Sequence, residues 1–577
     1  MNYKYGKKKA LINDKRLFLL SIIIVMAAMV IVSRLFVLQI IRGGKYSELA
    51  SGRHSFSEEL TAKRGDIFIK EFGSDATYPA ATNLTMYLAY AEPSKIQNKN
   101  NTARVLAEAL SLDEKELLKN LSENIPYKVL AHFVPAETME KIKSYKFPGV
   151  GFEEETKRIY PEKGFGGQIV GFVGSNGNSI SGRYGLEGYF DKDLTGKSGY
   201  LKAEKDALGR LIPWSDGTTE QAMDGMDLYL TIDRNIQFYI CNKIKEGVAK
   251  YDAESGTIII MEPASGKILA ICSYPDFDPN NYSKIADQSI FNNPAVFSQY
   301  EPGSVFKAIT MAAGVDAGLV SPETTYTDEG SIFIKPHTIK NSDHKTNGVQ
   351  TMTQVLEKSL NTGAVYVARL LGPQKFREYV EGFGFGNLTG VELDGEALGD
   401  VSSLKKRGEI WPATASFGQG VSVTSLQMLN AVNVIANGGK LMQPYIVEKE
   451  VDASGAVHDI QPKAIRQAIS SRTSTLLRGM LTSVVENGHG KKAGVQGYFV
   501  GGKTGTAQVS KKEGGGYEEG KTIGSFIGFA PADNPVFSLL VKIDNPKTVQ
   551  WAESSAAPVF GEIAKYLLNY YKVPPER

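Results

Sequence analysis

The sequence predicts an α+β fold in its C-terminal part, on the evidence of three observations. Two strand-like runs within residues 256–275 are joined by the turn Pro-Ala-Ser-Gly-Lys, which is a hairpin signal. A predominantly helical middle follows, and strand-like runs return at 503–509, 525–532 and 536–544. Strands at both ends of a helical middle indicate one domain, expected over residues 223–577, whose sheet is completed by its two ends.

The first element along the chain is an apolar run that predicts a membrane-spanning helix. Residues 17–32 carry no charge, and apolar residues resume after Arg34 and continue to Ile41. This length can cross a bilayer, and no small-residue cleavage site follows, so we expect an uncleaved anchor at 17–40. A cleaved secretory signal is the alternative. The basic residues of 1–16 predict a cytoplasmic tail, with everything after about residue 41 outside the cytoplasmic membrane.

Residues 41–222 predict a mixed, turn-rich region between the anchor and the α+β domain. The stretch 164–190 is dense in glycine, which favours hairpins and tight turns, whereas 103–121 has the apolar spacing of a helix. We interpret this region as an elongated, β-rich pedestal, a spacer or interaction module that stands above the membrane.

Three further local features of the α+β domain can be predicted. Asp233 is placed to cap an amphipathic helix. The glycine-rich stretch 511–521 predicts a mobile hairpin tip, and the segment 555–572 predicts a final helix.

Charge, histidine and cysteine content exclude several classes of function. The net charge of +2 gives no global basic field, which argues against nucleic acid as a partner. The six histidines show no metal-ligand spacing, so we expect neither a metal nor another cofactor. Cys241 and Cys272 both lie in apolar stretches, and we expect buried free thiols; a disulfide is the alternative in an oxidising compartment.

A serine and a lysine three residues later, Ser304 and Lys307, are the first candidate catalytic pair. Spacing alone cannot select them, because the same pattern recurs at three other places: Ser342/Lys345, Ser402/Lys405 and Ser403/Lys406. Only the first pair follows Pro-Gly and opens an apolar helical run, whereas the other three lie in polar, loop-like sequence. A helix places residues i and i+3 on one face, so the amine can reach the hydroxyl. A serine needs such a base to act as a nucleophile.

Two distant motifs could complete a catalytic site. Ser359 and Asn361 form a Ser-x-Asn triplet, and the segment 503–506 reads Lys-Thr-Gly-Thr at the start of a predicted strand. A second cation such as Lys503 would lower the pKa of Lys307, as burial would. The stretch 497–504 also matches a phosphate-binding loop, but strand-like sequence on both sides argues against that function.

Together, Ser-x-x-Lys, Ser-x-Asn and Lys-Thr-Gly resemble the active-site set of penicillin-interacting serine enzymes. The chain resembles class B penicillin-binding proteins over nearly its whole length. The stretches that carry the resemblance in the C-terminal part are YEPGSVFK (300–307), SFGQGVSVTSLQ (416–427), IANGG (435–439), GKTGTAQV (502–509) and SFIGFAP (525–531). Those of the N-terminal part are RLFVLQIIRGGKY (34–46), KRGDIF (63–68), RIYPEKGFGGQIVGFVG (158–174) and YGLEGYFD (184–191).

The resemblance implies a transpeptidase domain with a central antiparallel sheet flanked by helices, which cross-links peptidoglycan stem peptides from lipid-linked precursor strands. Ser304 would be the nucleophile and Lys307 its base. Ser359 would relay the proton to the leaving amine, Lys503 would keep the local field positive, and Asn361 would orient Lys307 and the substrate amide. Thr504 and Thr506 would hold the terminal carboxylate on either side of Gly505, and the backbone N–H groups of Ser304 and Thr506 would form the oxyanion hole. β-Lactams would acylate Ser304 by mimicry.

The resemblance favours a division- or sporulation-type enzyme that pairs with a SEDS-family glycosyltransferase and other wall-synthesis membrane proteins. An elongation-type transpeptidase of the side wall, some carboxypeptidase activity, and a non-catalytic scaffold of the wall-synthesis complex remain alternatives. A class A β-lactamase would need a glutamate in a Glu-x-x-Leu-Asn loop, and Glu396 lies in Gly-Glu-Ala-Leu-Gly, which lacks the asparagine.

Overall fold

The computed structural model describes residues 14–44, 55–176, 179–204, 219–511 and 516–577. Contacts between residues divide the chain into two compact units. One unit comprises residues 1–62 and 197–223, and the other comprises residues 63–196 and 224–577.

The helices and strands alternate along most of the described chain. The strands are β1 Ser55–Leu60, β2 Ile67–Lys70, β3 Thr77–Ala91, β4 Lys128–Val134, β5 Val150–Ile159, β6 Phe172–Asn176, β7 Ser179–Arg183, β8 Gly199–Glu204, β9 Thr219–Glu220, β10 Asp227–Asp233, β11 Ser255–Met261, β12 Ile268–Tyr274, β13 Gln299–Tyr300, β14 Thr325–Asp328, β15 Ser331–Ile334, β16 His337–Lys340, β17 Gly348–Thr351, β18 Val423–Thr424, β19 Lys440–Met442, β20 Val447–Val451, β21 Val457–Asp459, β22 Ala464–Gln467, β23 Gly501–Ser510, β24 Tyr517–Ala530 and β25 Phe537–Asp544. The α-helices are α1 Asp14–Phe36, α2 Lys99–Leu110, α3 Glu114–Ser122, α4 Ala136–Ser144, α5 Gly167–Val170, α6 Gly185–Tyr189, α7 Asp191–Thr195, α8 Arg234–Lys250, α9 Pro294–Phe297, α10 Lys307–Asp316, α11 Met352–Glu357, α12 Asn361–Gly382, α13 Ile410–Ala415, α14 Ser425–Ala436, α15 Ser471–Asn487 and α16 Ala556–Tyr570.

The first unit contains the membrane-anchor helix and a small sheet. Helix α1 continues into a π-helical turn at Val37–Ile41, and residues 16–41 together are long and apolar enough to span a bilayer. This confirms the predicted spanning segment by length and composition. The sheet of this unit has the order β1-β8-β9, with antiparallel pairs.

A five-stranded antiparallel sheet in the second unit confirms the predicted α+β fold. Its order is β12-β11-β25-β24-β23, so the hairpin predicted near residue 256 pairs with the strands near the C-terminus. The near-continuous apolar sequence of β11 and β25 fits this position, because these inner strands are buried on both faces. Strand β23 lies at the edge, where one side of its backbone is open for pairing.

Helix α8 packs on this sheet and carries a disulfide that the sequence prediction missed. Asp233 accepts a hydrogen bond from the N–H of Ile236, which confirms the predicted N-cap. The expectation of free thiols is wrong, because Cys241 on α8 is bonded to Cys272 on β12. Packing of the helix on the strand brings their Cα atoms to 5.4 Å, within bonding reach. Local sequence around each cysteine does not reveal that these two elements are neighbours.

The second unit also contains a sheet that joins sequence-distant segments, with the order β21-β20-β10-β2-β3-β4; β5 pairs with β3. Strand β2 runs parallel to β10, and β10 is antiparallel to β20. The predicted hairpin within 164–190 is present as β6–β7. The helix predicted over 103–121 is interrupted instead, because Ser111 adopts the left-handed conformation (φ 55°) and separates α2 from α3.

Three charged side chains from separate segments of the second unit form a buried cluster. The carboxylate of Glu187 is fully buried and lies 2.6 Å from the guanidinium of Arg64 and 2.7 Å from that of Arg158. Arg64 also lies 2.8 Å from Asp191. Arg64 therefore joins the segments that carry Glu187 and Asp191.

Of the last two predicted features, the helix is confirmed, and the centre of the hairpin tip lies outside the described residues. The C-terminal helix forms as α16. Of the predicted hairpin tip at 511–521, residues 512–515 lie outside the described part of the chain, and residues from Tyr517 onward already belong to β24.

Candidate active site

Ser304 lies in a tight turn that leads directly into helix α10. Residues Gly303–Phe306 form a 3₁₀ helix and the α-helix begins at Lys307, so the predicted helical run starts with a tighter turn than expected. Three-residue spacing still aligns the two side chains, and Lys307 Nζ lies 3.1 Å from Ser304 Oγ. Gly303 has φ 59°, a conformation that favours glycine, and its N–H donates to the carbonyl of Gly418 at 3.1 Å.

Three motifs converge through hydrogen bonds on Ser359. Lys307 Nζ donates to the carbonyl oxygen of Ser359 at 2.5 Å and lies 3.2 Å from its Oγ. Lys503 Nζ lies 3.0 Å from the same Oγ. A continuous path therefore runs from Ser304 through Lys307 and Ser359 to Lys503.

Both lysines of this path are buried, with exposed fractions of 1% for Lys307 and 2% for Lys503. Burial, and then the charge of Lys503, hold the pKa of Lys307 well below its ordinary value. Burial lowers the pKa of Lys503 to about 7. Both of the expected causes therefore lower the pKa of Lys307, and desolvation contributes more than the second cation.

The Ser-x-Asn segment has an unusual backbone. Ser359 has φ 57°, a left-handed conformation that is uncommon for serine and that occurs often at functional sites. Asn361 begins helix α12, and its Nδ2 donates to the carbonyl of Lys340 at 2.7 Å. Within the described residues Asn361 makes no hydrogen bond to Lys307 and is not part of the cavity lining, so the structure does not show the expected contact.

The Lys-Thr-Gly-Thr segment lies on the edge strand β23. A Cβ atom on Gly505 would lie 2.8 Å from the side chain of Val305 and 3.0 Å from the carbonyl of Pro302, so only glycine lets the strand approach the Ser304 turn this closely. Thr504 Oγ1 lies 3.3 Å from Lys503 Nζ, and Thr506 Oγ1 accepts a hydrogen bond from the N–H of Ala552 at 3.1 Å.

These groups line a cavity of about 260 Å³. Its lining residues are Ser304, Ser342, Asp343, Lys358, Ser359, His489, Thr504, Thr506, Trp551 and Glu553. Trp551 is 48% exposed, and His489 Nδ1 lies 3.3 Å from Glu553 Oε2. The candidate nucleophile Ser304 and residues of the β23 edge therefore face one open space, and the buried amine of Lys307 lies behind Ser304 and Ser359 within hydrogen-bond distance of both.

Comparison with known proteins identifies the family. The penicillin binding protein transpeptidase domain matches residues 256–565, and the penicillin-binding protein dimerisation domain matches residues 59–230. The chain belongs to the penicillin-binding protein family.

Relatives of this penicillin-binding protein match it over nearly its full length. Stage V sporulation protein D of Bacillus subtilis is 35% identical over 98% of this chain and 87% of its own length. Peptidoglycan D,D-transpeptidase FtsI of Buchnera aphidicola is 30% identical over 99% of this chain and 97% of its own. Penicillin binding protein 3 of Mycobacterium tuberculosis, solved in complex with aztreonam, superposes with a TM-score of 0.70 at 27% identity, covering 90% of this chain and 98% of that one.

In this penicillin-binding protein the competing motifs take other roles. Ser402 and Ser403 lie in a 3₁₀ helix at Ser402–Lys405, not in the expected loop, and neither lines the cavity. The stretch 497–504 leads into strand β23 without a following helix, which confirms that it is no phosphate-binding loop. Glu396 accepts hydrogen bonds from Thr389 and Gly390 and holds a turn.

Sequence reasoning missed several cavity residues of this penicillin-binding protein. Asp343, His489 and Trp551 come from loops and Glu553 from a short 3₁₀ helix at Ala552–Ser554, and none of them carries a spacing pattern that marks it. One weak signal exists: Ser342 opens one of the rejected Ser-x-x-Lys pairs, yet it lines the same cavity as Ser304.

Proposed function

We propose that this chain is a membrane-anchored serine DD-transpeptidase that cross-links peptidoglycan stem peptides through an acyl-enzyme on Ser304. The observation that carries the proposal is the hydrogen-bonded path from Ser304 through Lys307 and Ser359 to Lys503. The names of the relatives support a division- or sporulation-type enzyme.

Acylation begins when Lys307, as the neutral amine, accepts the proton of Ser304. The serine oxygen then bonds to the carbonyl carbon between the two terminal D-alanines. The C–N bond breaks, and the departing D-alanine amine takes a proton relayed from Lys307 through Ser359. Lys503 keeps the field around this path positive. The short distances among the three side chains support this order of transfer.

The edge of β23 serves as the binding strand for the donor peptide. Thr504 and Thr506 hold the terminal carboxylate, and the backbone N–H groups of Ser304 and Thr506 stabilise the oxyanion. An amine from a second stem attacks the ester, an amide bond forms, and Ser304 recovers its proton. β-Lactams acylate Ser304 in the same way, and the aztreonam complex of the similar mycobacterial protein supports this. Asn361 orients the substrate amide from the start of α12.

Covalent labelling by a fluorescent penicillin tests the proposal. Because Ser304 is the nucleophile, the purified full chain should carry one penicilloyl group on the peptide that contains Ser304, located by mass spectrometry. The variant Ser304→Ala should carry no penicilloyl group, and the variant Ser342→Ala should be labelled to the same extent as wild type. If wild-type protein remains unlabelled, the chain is a scaffold without the chemistry.

The pH dependence of labelling should report the state of Lys307. The acylation rate should fall as the pH is lowered through the depressed pKa of Lys307, because only the neutral amine can accept the serine proton. In Lys503→Met the loss of a neighbouring charge should raise the pKa of Lys307 and move this decline to higher pH, although burial still lowers it. The exposed lysine variant Lys492→Met is the matched control, and its profile should coincide with that of wild type. If the profile of Lys503→Met also coincides with that of wild type, the charge of Lys503 does not influence the pKa of Lys307.

The anchor and pedestal support a proposal on localisation and partners. Residues 1–16 are the cytoplasmic tail, 17–40 the single anchor, 41–222 the pedestal and 223–577 the catalytic domain, which lies outside the cytoplasmic membrane. Through the anchor and pedestal the protein pairs with a SEDS-family glycosyltransferase. The fully exposed apolar surface of α1 is available for such a contact within the bilayer.

Exchange of the anchor tests this pairing. Replacing residues 17–40 by an unrelated spanning helix should abolish complementation of a deletion strain and spare penicillin labelling, since the catalytic unit is unchanged. Membrane fractionation shows that the exchanged protein is still inserted. Full complementation by the exchanged protein would exclude pairing through the anchor.

A further inference from the structure

A buried carboxylate outside the three motifs, that of Asp328 at the end of β14, binds only neutral donors. It is 0% exposed, and no ion pair reaches it within the described residues. Its hydrogen bonds come from Asn341 Nδ2 at 2.9 and 3.0 Å, from the N–H and Nδ2 of Asn347 at 3.0 and 2.8 Å, from Thr362 Oγ1 at 2.7 Å and from the N–H of Gly330 at 3.0 Å. Burying a carboxylate costs free energy unless hydrogen-bond donors fill its acceptor positions.

The donors to Asp328 hold both ends of one wall of the active-site cavity. Asn341 and Asn347 begin and end the segment 341–347, and Ser342 and Asp343 from this segment line the same cavity as Ser304. Because both ends of this segment donate hydrogen bonds to one carboxylate, the backbone between them is held at both ends.

The same carboxylate also holds the start of helix α12, which carries the Ser-x-Asn motif. Thr362 donates its hydroxyl hydrogen to Asp328, and its N–H donates to Asn341 Oδ1 at 3.2 Å; the hydroxyl oxygen also lies 3.1 Å from Asn341 Oδ1. One residue earlier, Asn361 Nδ2 donates to the carbonyl of Lys340. The first turn of α12 is therefore bound to the cavity wall through Asp328 and Asn341.

Ionisation of Asp328 fits this arrangement. Burial alone would raise the pKa of Asp328, but the hydrogen bonds from Thr362 and Asn347 and their neighbours lower it below its ordinary value. An anion beside the N–H groups of the first turn of α12 is also favoured by the helix dipole. Charged acceptors form stronger hydrogen bonds than neutral ones. The ionised carboxylate therefore makes the junction between the segment 341–347 and the start of α12 rigid.

We propose that Asp328 is a positioning residue for acylation: through Asn341 and Thr362 it fixes Ser359 and Asn361 against the cavity wall that contains Ser342 and Asp343. The inference rests on the proposed function. Displacement of a catalytic group by about 1 Å can lower a rate by about 100-fold, so loosening this junction should slow acylation more than it weakens binding.

The test is a pair of substitutions at Thr362, which is 1% exposed, in the detergent-solubilised full chain. Thr362→Val removes the hydroxyl at nearly constant volume, and Thr362→Ser retains it. With a fluorescent penicillin, we expect Thr362→Val to lower the limiting acylation rate on the order of 10-fold with little change in the half-saturating concentration. Thr362→Ser should retain most of the wild-type rate, and Asp328→Asn should be slowed at least as much as Thr362→Val.

The matched control is Thr473→Val. Thr473 is 3% exposed and its hydroxyl donates to the carboxylate of Asp316 at 2.9 Å, away from the cavity lining. It should lower the melting temperature as Thr362→Val does and acylate at the wild-type rate. A wild-type rate for Thr362→Val, or equal slowing in Thr473→Val, would overturn the positioning role alone. Absence of labelling in wild type would overturn the proposed function together with this inference.

Discussion

Replacing Lys307 by arginine should lower the rate of penicillin acylation by about 10²–10⁴-fold, the usual contribution of a general base. Arginine keeps the positive charge but cannot be deprotonated in a protein, so it cannot accept the proton of Ser304. Stopped-flow measurement of labelling gives the rate, and circular dichroism checks that the buried site tolerates the larger side chain.

A second substitution separates base catalysis from charge. Lys307→Met removes both the amine and its charge, and should lose as much activity as the arginine variant if the lysine acts as a base. An arginine variant that is fast while the methionine variant is slow would assign Lys307 an electrostatic role. That result would move the base to another group on the path, such as Ser359 with Lys503.

Replacing Glu187 by alanine should destabilise the second unit by about 3–5 kcal/mol. The side chain is fully buried between Arg64 and Arg158, so its removal leaves two guanidinium groups in a low-dielectric interior without their shared partner. The apparent midpoint of chemical unfolding, followed by tryptophan fluorescence, measures the loss.

An exposed ion pair supplies the control for this loss. Glu409 pairs with Arg369 at the surface, and both side chains are more than two-fifths exposed. Glu409→Ala should therefore change stability by no more than about 1 kcal/mol. If Glu187→Ala and Glu409→Ala have equally small effects, the buried cluster contributes little to stability.

The parts of the fold that depend on local patterns could be predicted from the sequence. The hairpin β11–β12, the cap at Asp233 and the strand at 503–509 each have a periodicity or a turn residue that specifies them. The break at Ser111 was missed because a serine in the left-handed conformation has no strong sequence signal. The bond between Cys241 and Cys272 was missed because it depends on how a helix packs on a strand.

In the active site, too, the local motifs could be predicted from the sequence and the tertiary packing could not. The three motifs named Ser304, Lys307, Ser359 and Lys503 as candidates, and packing brings them together. No motif could indicate that Asp328 binds Thr362, the residue that follows Asn361, because β14 and α12 meet only through tertiary packing. Nor could sequence weigh burial against charge in lowering the pKa of Lys307.

The sheet that joins β2, β10 and β20 has a practical consequence for recombinant work. A fragment that begins at residue 223 would contain the whole transpeptidase match, yet it would strip β2 from β10 and turn an inner strand into an open edge. Open edges of this kind promote aggregation between molecules. Soluble preparations for inhibitor screening should therefore begin ahead of Lys63, so that β2 and β3 are retained. A shorter fragment that still contains the transpeptidase match should be avoided.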